Sequence, residues 1–139
     1  MIAIPLPSTR TIAILVGLEL TGRSAPRPPS AVERETSAAE ESLQELAMLA
    51  ATAGARVAET QIQSRPRADA ATQIGSGKVE QLKALISLHH ADVVIFDREL
   101  TPTQQRNLER AFDVKVLDRT QLILDIFARR ARTREGQLQ

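Results

Sequence analysis

The stretch ADVVIFDRELTPTQQRNLERAFDVKVLDRTQL (91–122) decides the fold, because it contains two strand-to-helix units in succession. The apolar run 92–96 predicts a short buried strand. Thr101, Pro102 and Gln104 follow it as the N-cap, the first-turn proline and the capping-box partner of a helix. The first unit is therefore a strand whose carboxyl end leads into a capped helix.

The second unit has the same order. The run 114–117 predicts another strand, and Asp118 with Gln121 predicts the cap of the last helix. That helix carries an apolar stripe at helical spacing, made of Leu122, Ile123, Ile126 and Phe127.

Upstream of this stretch the alternation of strands and helices continues. The pattern predicts strands at 11–20 and 55–62, helices at 37–53 and 79–86, a left-handed glycine cap at Gly54 and a polar loop at 63–73. Such alternation is typical of parallel strands joined by right-handed crossovers. The sequence therefore predicts an α/β fold, a four-stranded and mainly parallel sheet flanked by helices in βα repeats, in a single domain.

Changes in composition along the chain indicate the domain boundaries. We place the α/β domain at 11–128, after an N-terminal tail at 1–10. Three prolines and a glycine fall within 21–30, and Pro-rich polar sequence does not pack well, so we expect a flexible loop at 21–36.

Composition also excludes several classes of site. The chain has 139 residues, of which 42% are hydrophobic and 25% charged, as expected of a globular domain. It has no cysteine, which excludes disulfides, thiolate metal sites and a cysteine nucleophile. His89 and His90 are adjacent and diverge on a helix, so we expect no metal site. The longest apolar run, 12–18, is far shorter than the roughly 20 residues of a membrane span, and we expect a cytoplasmic protein.

The string ATQIGSGKVEQL (71–82) raises the possibility of a phosphate-binding loop. A Walker A loop needs glycine where Thr72 stands, and serine or threonine where Val79 stands. The dinucleotide-binding fingerprint fails as well, because Glu80 occupies the position of its third glycine. The string is therefore neither of these two motifs.

A weaker anion or nucleotide site remains open at Gly75, Ser76, Gly77 and Lys78. Backbone N–H groups at a helix start attract anions, and Lys78 adds a positive charge. The plainer interpretation is a tight turn in which Ser76 caps the helix.

The same dipeptide follows two of the predicted strands, as Asp97-Arg98 and Asp118-Arg119. Ligands of open parallel sheets bind at the carboxyl ends of the strands, so these four residues are further candidates for anion or nucleotide binding on the same rim. The alternative is that Asp118 caps a helix and the others are solvated charges or ion pairs.

The C-terminal run is the densest cluster of charge in the sequence. It contains Arg129, Arg130, Arg132 and Arg134, while acidic residues are concentrated around the first helix. A patch of this kind grips nucleic-acid phosphates without reading sequence. Arginines at the end of a helix also complement its dipole, which is the alternative.

Three strings resemble a known family. LTPTQQRNLE (100–109), VLDRTQLILDIFARRARTREGQLQ (116–139) and ATQIGSGKVEQL (71–82) closely resemble the N-terminal domain of HflX-type ribosome-associated GTPases. The resemblance implies an α/β domain followed by a helical hairpin and a G domain. It also implies binding to ribosomal RNA of the large subunit and dissociation or recycling of ribosomes under stress.

The resemblance further implies a division of labour. GTP and magnesium belong to the G domain, whose motifs are absent from this sequence, so we expect no cofactor and no catalytic residue here. The run 129–139 would begin the missing helical linker, and the parent's own G domain would be a partner. We therefore expect this chain to be one part of a GTPase, with no hydrolysis of its own.

Two alternatives stay open at this point. One is an ATP-binding module with its own NTPase or helicase-like activity, motivated by the glycine turn and the Asp-Arg rim. The other is a structural domain that self-associates through the face carrying Ile123 and Phe127. For the chain itself we expect a monomer or a weak oligomer.

Overall fold

The fold is a four-stranded sheet with helices on both of its faces. The structure is a computed structural model that describes residues 11–22 and 38–138, with side chains as far as Arg129. The strand order is β2-β1-β3-β4, and all three strand pairs are parallel, as the sequence predicts. The predicted tail, most of the predicted 21–36 loop and the first residue of the predicted 37–53 helix lie outside the described residues.

The strands form where apolar residues run together. β1 (Thr11–Leu20) lies between β2 (Ala55–Arg65) and β3 (Val93–Phe96), and β4 (Lys115–Asp118) is the outer strand beyond β3. β1 and β3 are buried on both faces, which accounts for their unbroken aliphatic sequence.

The helices fill the two faces of the sheet. They are α1 (Ala38–Thr52), α2 (Ser76–His89), α3 (Pro102–Phe112) and α4 (Arg119–Leu138). Helices α1 and α4 cover one face, where Leu46, Ile95 and Leu122 are buried together. Helices α2 and α3 cover the other face, around Leu82, Phe96 and Leu108. Each crossover returns the chain to a parallel strand, as is usual for βα repeats.

Two local features at the ends of α1 and β2 bear on the predictions. Gly54 follows α1 with φ of +91°, which confirms the predicted left-handed cap. The predicted polar loop at 63–73 is wrong at its start, because β2 continues to Arg65. β2 extends so far because it pairs with β1 along its whole length, although its residues facing α2 are polar.

The strand order places one switch point in the sheet. The chain leaves β1 towards β2 on one side and later reaches β3 on the other side of β1. In doubly wound sheets, ligands bind at the carboxyl ends of the strands beside such a point. The rim formed by the carboxyl ends of β1, β2, β3 and β4 is therefore the place to look for a site.

No helix among the described residues is long and apolar enough to cross a membrane.

Candidate functional site at the carboxyl rim

The structure brings Asp97 and Arg119 together at this rim. Asp97 follows β3 and Arg119 begins α4, and their side chains form an ion pair of 2.9 Å. Arg119 also reaches α1, where it donates to the Ser42 hydroxyl (2.9 Å) and to the Glu45 carboxylate (2.8 Å). Asp97 is mostly buried in this arrangement. The guanidinium therefore ties three elements together within the protein.

Asp118 is the most deeply buried acid of the rim. Its Oδ1 accepts from the Gln121 N–H (2.9 Å), and the Gln121 side chain accepts from the Asp118 N–H (3.1 Å). This reciprocal pair is the predicted capping box of the last helix. The Oδ2 of Asp118 accepts from the Leu100 N–H (2.9 Å), so both oxygens of this carboxylate have backbone donors.

Arg98 contacts β1, one of the two strands beside the switch point. Its Nε donates to the carbonyl of Leu18 at 3.1 Å, which fixes the guanidinium at the carboxyl end of β1. The chain beside it is also fixed, because the Asp97 N–H donates to the Val16 carbonyl (2.9 Å). All four Asp and Arg candidates thus make contacts that hold strands and helices together.

The glycine turn differs from the plainer interpretation, in which Ser76 caps the helix. Gly75, and not Ser76, is the N-cap of α2, and no side chain caps the helix. Ser76 is the first helical residue, so the prediction that it caps α2 is wrong. The Gly75 N–H instead donates to the Gln63 side chain on β2 (2.8 Å), and the Arg65 guanidinium occupies the space that a Cβ at Gly75 would need.

Lys78 is directed towards β2 as well. Its Nζ donates to Gln81 (2.9 Å) and to Gln61 (3.2 Å), and Gln81 also donates to Gln61 (3.3 Å). A Cβ placed on Gly77 would have no heavy atom within 4 Å, so local packing does not require a glycine at this position. The turn therefore exposes backbone N–H groups, while its lysine is engaged by amides.

The predicted polar loop before this turn makes contacts that the sequence analysis missed. Gln104 is buried and donates to the carbonyl of Asp69 (2.8 Å), although it also serves the α3 capping box. Gln73 is buried in a left-handed conformation (φ 67°) and donates to the Glu99 carbonyl (3.1 Å). The sign of these contacts is that both glutamines are buried, and no local sequence pattern marks a glutamine as buried.

Asp69 organises the loop internally. Its carboxylate accepts from the N–H groups of Ala71 (2.8 Å) and Thr72 (3.1 Å). These backbone hydrogen bonds hold the pKa of Asp69 below its ordinary value, with a smaller contribution from the charge of Arg65. The loop before α2 is therefore internally bonded and firmly attached to α3.

The arginine run lies on the last helix. Arg129 donates to the carbonyl of Ala53 (2.6 Å), at the end of α1, and pairs with Asp125 (3.0 Å). Its guanidinium thereby satisfies a carbonyl at a helix C-terminus, where positive charge is favoured. Arg130, Arg132 and Arg134 continue along α4, which extends to Leu138. The RNA-binding role of the run stays a prediction.

The two histidines have different surroundings. His89 contacts Glu59 on β2 at 3.3 Å, and His90 ends α2 in a left-handed conformation. Within 11–22 and 38–138, no group of three or more His, Cys, Asp or Glu residues is arranged to hold a metal ion.

Comparisons with known proteins identify the family. Residues 40–128 match the family described as GTP-binding GTPase N-terminal. The chain is 49% identical over 108 residues to GTPase HflX of Alkalihalophilus pseudofirmus, covering 78% of this chain and 26% of that protein. It is 53% identical over 100 residues to GTPase HflX of Caldanaerobacter subterraneus, covering 72% and 23%. This chain belongs to the HflX family of GTPase N-terminal domains.

The HflX relatives extend well beyond the matched region. GTPase HflX of Escherichia coli is 44% identical over 99 residues, which are 71% of this chain and 23% of that protein. The chain thus spans about a quarter of the length of these curated relatives.

Solved structures share the HflX-domain fold. The crystal structure of the SsGBP and GDP complex superposes with a TM-score of 0.59 at 20% identity, covering 85% of this chain and 29% of that one. A GTP-binding protein from Sulfolobus solfataricus in complex with GDP gives a TM-score of 0.55, also at 20% identity, covering 85% of this chain and 30% of that one. At this level of identity the likeness shows the fold alone.

Proposed function

We propose that this chain is the ribosome-binding and regulatory N-terminal domain of an HflX-type GTPase. It acts in the cytoplasm, binds ribosomal RNA of the large subunit, and promotes dissociation or recycling of ribosomes under stress. GTP and magnesium are bound, and GTP is hydrolysed, in the G domain of the parent protein, which is also a partner of this domain. The observation that carries the proposal is the family match over residues 40–128, with relatives named GTPase HflX.

The contacts at the carboxyl rim support a binding domain without a nucleotide site of its own. Arg119 is engaged by Asp97 and Glu45, and both oxygens of Asp118 accept backbone N–H groups. A nucleotide phosphate would have to compete with these internal partners. Lys78 is likewise bonded to two glutamine side chains. No observation at the rim favours the ATP-dependent alternative.

The C-terminal part of α4 is the stronger candidate for contact with RNA. Arg130, Arg132 and Arg134 lie on one continuous helix, directly downstream of Arg129, which contacts the end of α1. A helix carrying three arginines within one and a half turns presents a concentrated positive charge, which suits a phosphate backbone. We therefore assign phosphate binding to these three arginines and an anchoring role to Arg129.

The test is binding of the purified chain to large ribosomal subunits. Changing Arg130, Arg132 and Arg134 together to Glu should abolish binding, because three phosphate contacts become repulsive. For the unmodified chain, raising the salt from about 50 to 200 mM should weaken binding roughly 20- to 40-fold, as expected for about three neutralised phosphates on single-stranded or duplex nucleic acid. Sedimentation of the chain with the subunits measures both effects.

The matched control reverses the same amount of charge elsewhere. Three exposed basic residues on α2 and α3 serve for this: Lys83, Arg106 and Arg110. Changing all three to Glu alters the net charge by the same amount as the triple arginine variant does. This control should retain binding within about threefold, since exposed charges far from the contact act weakly through salt. Equal loss in both variants would refute a specific role for the arginine run, and full binding by the first variant would refute its role altogether.

A further inference from the structure

The two outer strands of the sheet differ in whether their outward backbone groups have partners. Alternate residues of an outer strand direct N–H and C=O away from the sheet. In β4 these residues are Val116 and Asp118; the Asp118 N–H donates to Gln121 of α4, and α3 covers Val116. Its N–H donates to the Glu109 carboxylate (3.2 Å), and its carbonyl accepts from the Gln105 amide (2.7 Å). Helix α3 thereby closes this edge of the sheet.

β2 forms the opposite edge and pairs with β1 alone. Thr21 donates to the Arg65 carbonyl (2.8 Å), so Arg65 and every second residue before it point towards β1. Thr60, Ile62 and Ser64 therefore direct their N–H and C=O groups outward. Within the described ranges 11–22 and 38–138, no group bonds to these outward atoms. We call this segment, residues 59–65, the open β2 edge.

The open β2 edge has a defined beginning and end. The pairing register shifts between Ala13 and Ile14, which leaves Ala58 as a bulged residue in β2. Pro66 follows the strand and has no N–H to donate. The residue midway between the bulge and the proline is Ile62. A strand added at this edge therefore finds a regular ladder centred on Ile62.

We propose that the open β2 edge pairs with the same edge of a second copy of this chain, antiparallel and centred on Ile62. The two four-stranded sheets then form one sheet of eight strands around a two-fold axis. In this register Ile62 faces its own counterpart, and Thr60 faces Ser64 of the second copy. These are the residues whose backbone groups point outward, so each facing pair exchanges two hydrogen bonds.

Charge complementarity selects this occupant and this register. The centred pairing places Glu59 opposite Arg65 of the second copy, twice, at positions where facing side chains lie close. Among the described hydrogen bonds, Glu59 uses only Oε2, for His89, and Arg65 donates only through Nε, to the Arg67 carbonyl (3.2 Å). The Arg65 guanidinium also lies over Gly75, and its charge acts on Asp69. Shifting the register by one or two residues separates these charges. The edge is thus complementary to itself.

The first test measures self-association over a wide range of concentrations. Sedimentation velocity of the purified chain should show monomer converting to dimer as concentration rises. Thr60→Pro should abolish the dimer, because it removes an outward N–H and leaves the ladder to β1 intact. Thr60→Ala, which keeps the N–H at the same exposed position, should retain the dimer within about threefold.

The second test uses charge to establish the register. Glu59→Arg and Arg65→Glu should each weaken dimerisation about tenfold, because like charges then face each other twice. Mixing these two variants should restore dimers of wild-type affinity, since each facing pair again carries opposite charges. Glu80→Arg on the exposed surface of α2 changes net charge by the same amount, and it should not alter the affinity.

The outcomes distinguish dimerisation through the open β2 edge from association through the exposed apolar residues of α4. Leu124 and Phe127 are each 60% exposed and offer another route to self-association. If Phe127→Ser abolished the dimer while Thr60→Pro preserved it, the proposal would be overturned. A chain that stayed monomeric at millimolar concentration would overturn it as well, and so would a mixture of the charge variants that failed to dimerise.

Discussion

Helix α2 begins differently from helices α3 and α4. α3 and α4 start with reciprocal capping boxes, Thr101 with Gln104 and Asp118 with Gln121. α2 starts at a glycine whose N–H donates to a side chain on β2, and no side chain caps it. Two of these helix starts are therefore stabilised locally, and the third is stabilised by the sheet.

This difference shows how the rim is held together. A capping box joins residues three positions apart, so it stabilises the helix start without a contact to a distant segment. The α2 turn depends on β2, because Gln63 lies twelve residues away and Arg65 packs over Gly75. We infer that the rim residues at all three starts hold the fold, and we expect their substitution to change stability in a graded order.

Asp118→Ala should have the largest effect of the series. It removes the acceptor for the Gln121 and Leu100 N–H groups, and the second of these is buried. Leaving a buried donor without a partner costs about 1–3 kcal/mol, and the lost cap adds about 1 kcal/mol. We expect a loss of about 3 kcal/mol in the free energy of unfolding by urea denaturation. Glu80→Ala, at an exposed acid, should change it by less than about 0.5 kcal/mol. A similar loss in both variants would contradict the capping role.

Thr101→Ala should have the next largest effect. The Thr101 hydroxyl accepts from the Gln104 N–H (3.1 Å), and Gln104 accepts in return from the Thr101 N–H (3.0 Å). Loss of such a cap typically costs about 1 kcal/mol in the free energy of unfolding. Thr101→Ser, which keeps the hydroxyl, should recover most of this. Equal stability of the alanine and serine variants would show that the box contributes nothing.

Asp69→Asn should have a smaller effect that depends on pH. The pKa of Asp69 is lowered in the folded state by the backbone hydrogen bonds of Ala71 and Thr72. Its charge therefore adds stability above its unfolded pKa of about 3.9, and this contribution is lost as the pH falls through the lower folded pKa. The wild type should exceed the variant by about 0.5 kcal/mol at neutral pH, and the two should converge in acid. A constant difference at every pH would exclude this linkage.

Ser76→Ala should have the smallest effect, within about 0.5 kcal/mol of zero. Ser76 is the first residue of α2 and makes no capping bond, whereas Gly75 is the cap. Alanine is a good helix former, so it does not penalise this position. Chemical denaturation of this variant beside Thr101→Ala compares the two kinds of helix start directly. A loss of about 1 kcal/mol would restore Ser76 as the cap.

The sequence predicted the parts of the fold that depend on neighbouring residues. The order of strands and helices, the parallel sheet and the two capping boxes follow from periodicity and from spacings of three residues. The left-handed Gly54 is also local, because it lies two residues after the end of α1. These features need no knowledge of which distant residues meet.

The sequence did not predict contacts between distant segments. Gln104 holds the loop at Asp69, Gln63 holds Gly75, and Arg129 holds the end of α1 at Ala53. The partners are separated by 35, 12 and 76 residues, respectively. Polar residues facing α2 also concealed the length of β2, since they break the alternation expected of a half-buried strand.

The most direct test of the central claim is a calorimetric titration of ATP with magnesium into the purified chain. If the glycine turn and the Asp-Arg rim hold the fold and do not bind a ligand, millimolar ATP should give only the heat of dilution. Lys78→Ala should give the same trace. Saturable heat from the wild-type chain, lost in Lys78→Ala while the variant remains folded, would contradict the account.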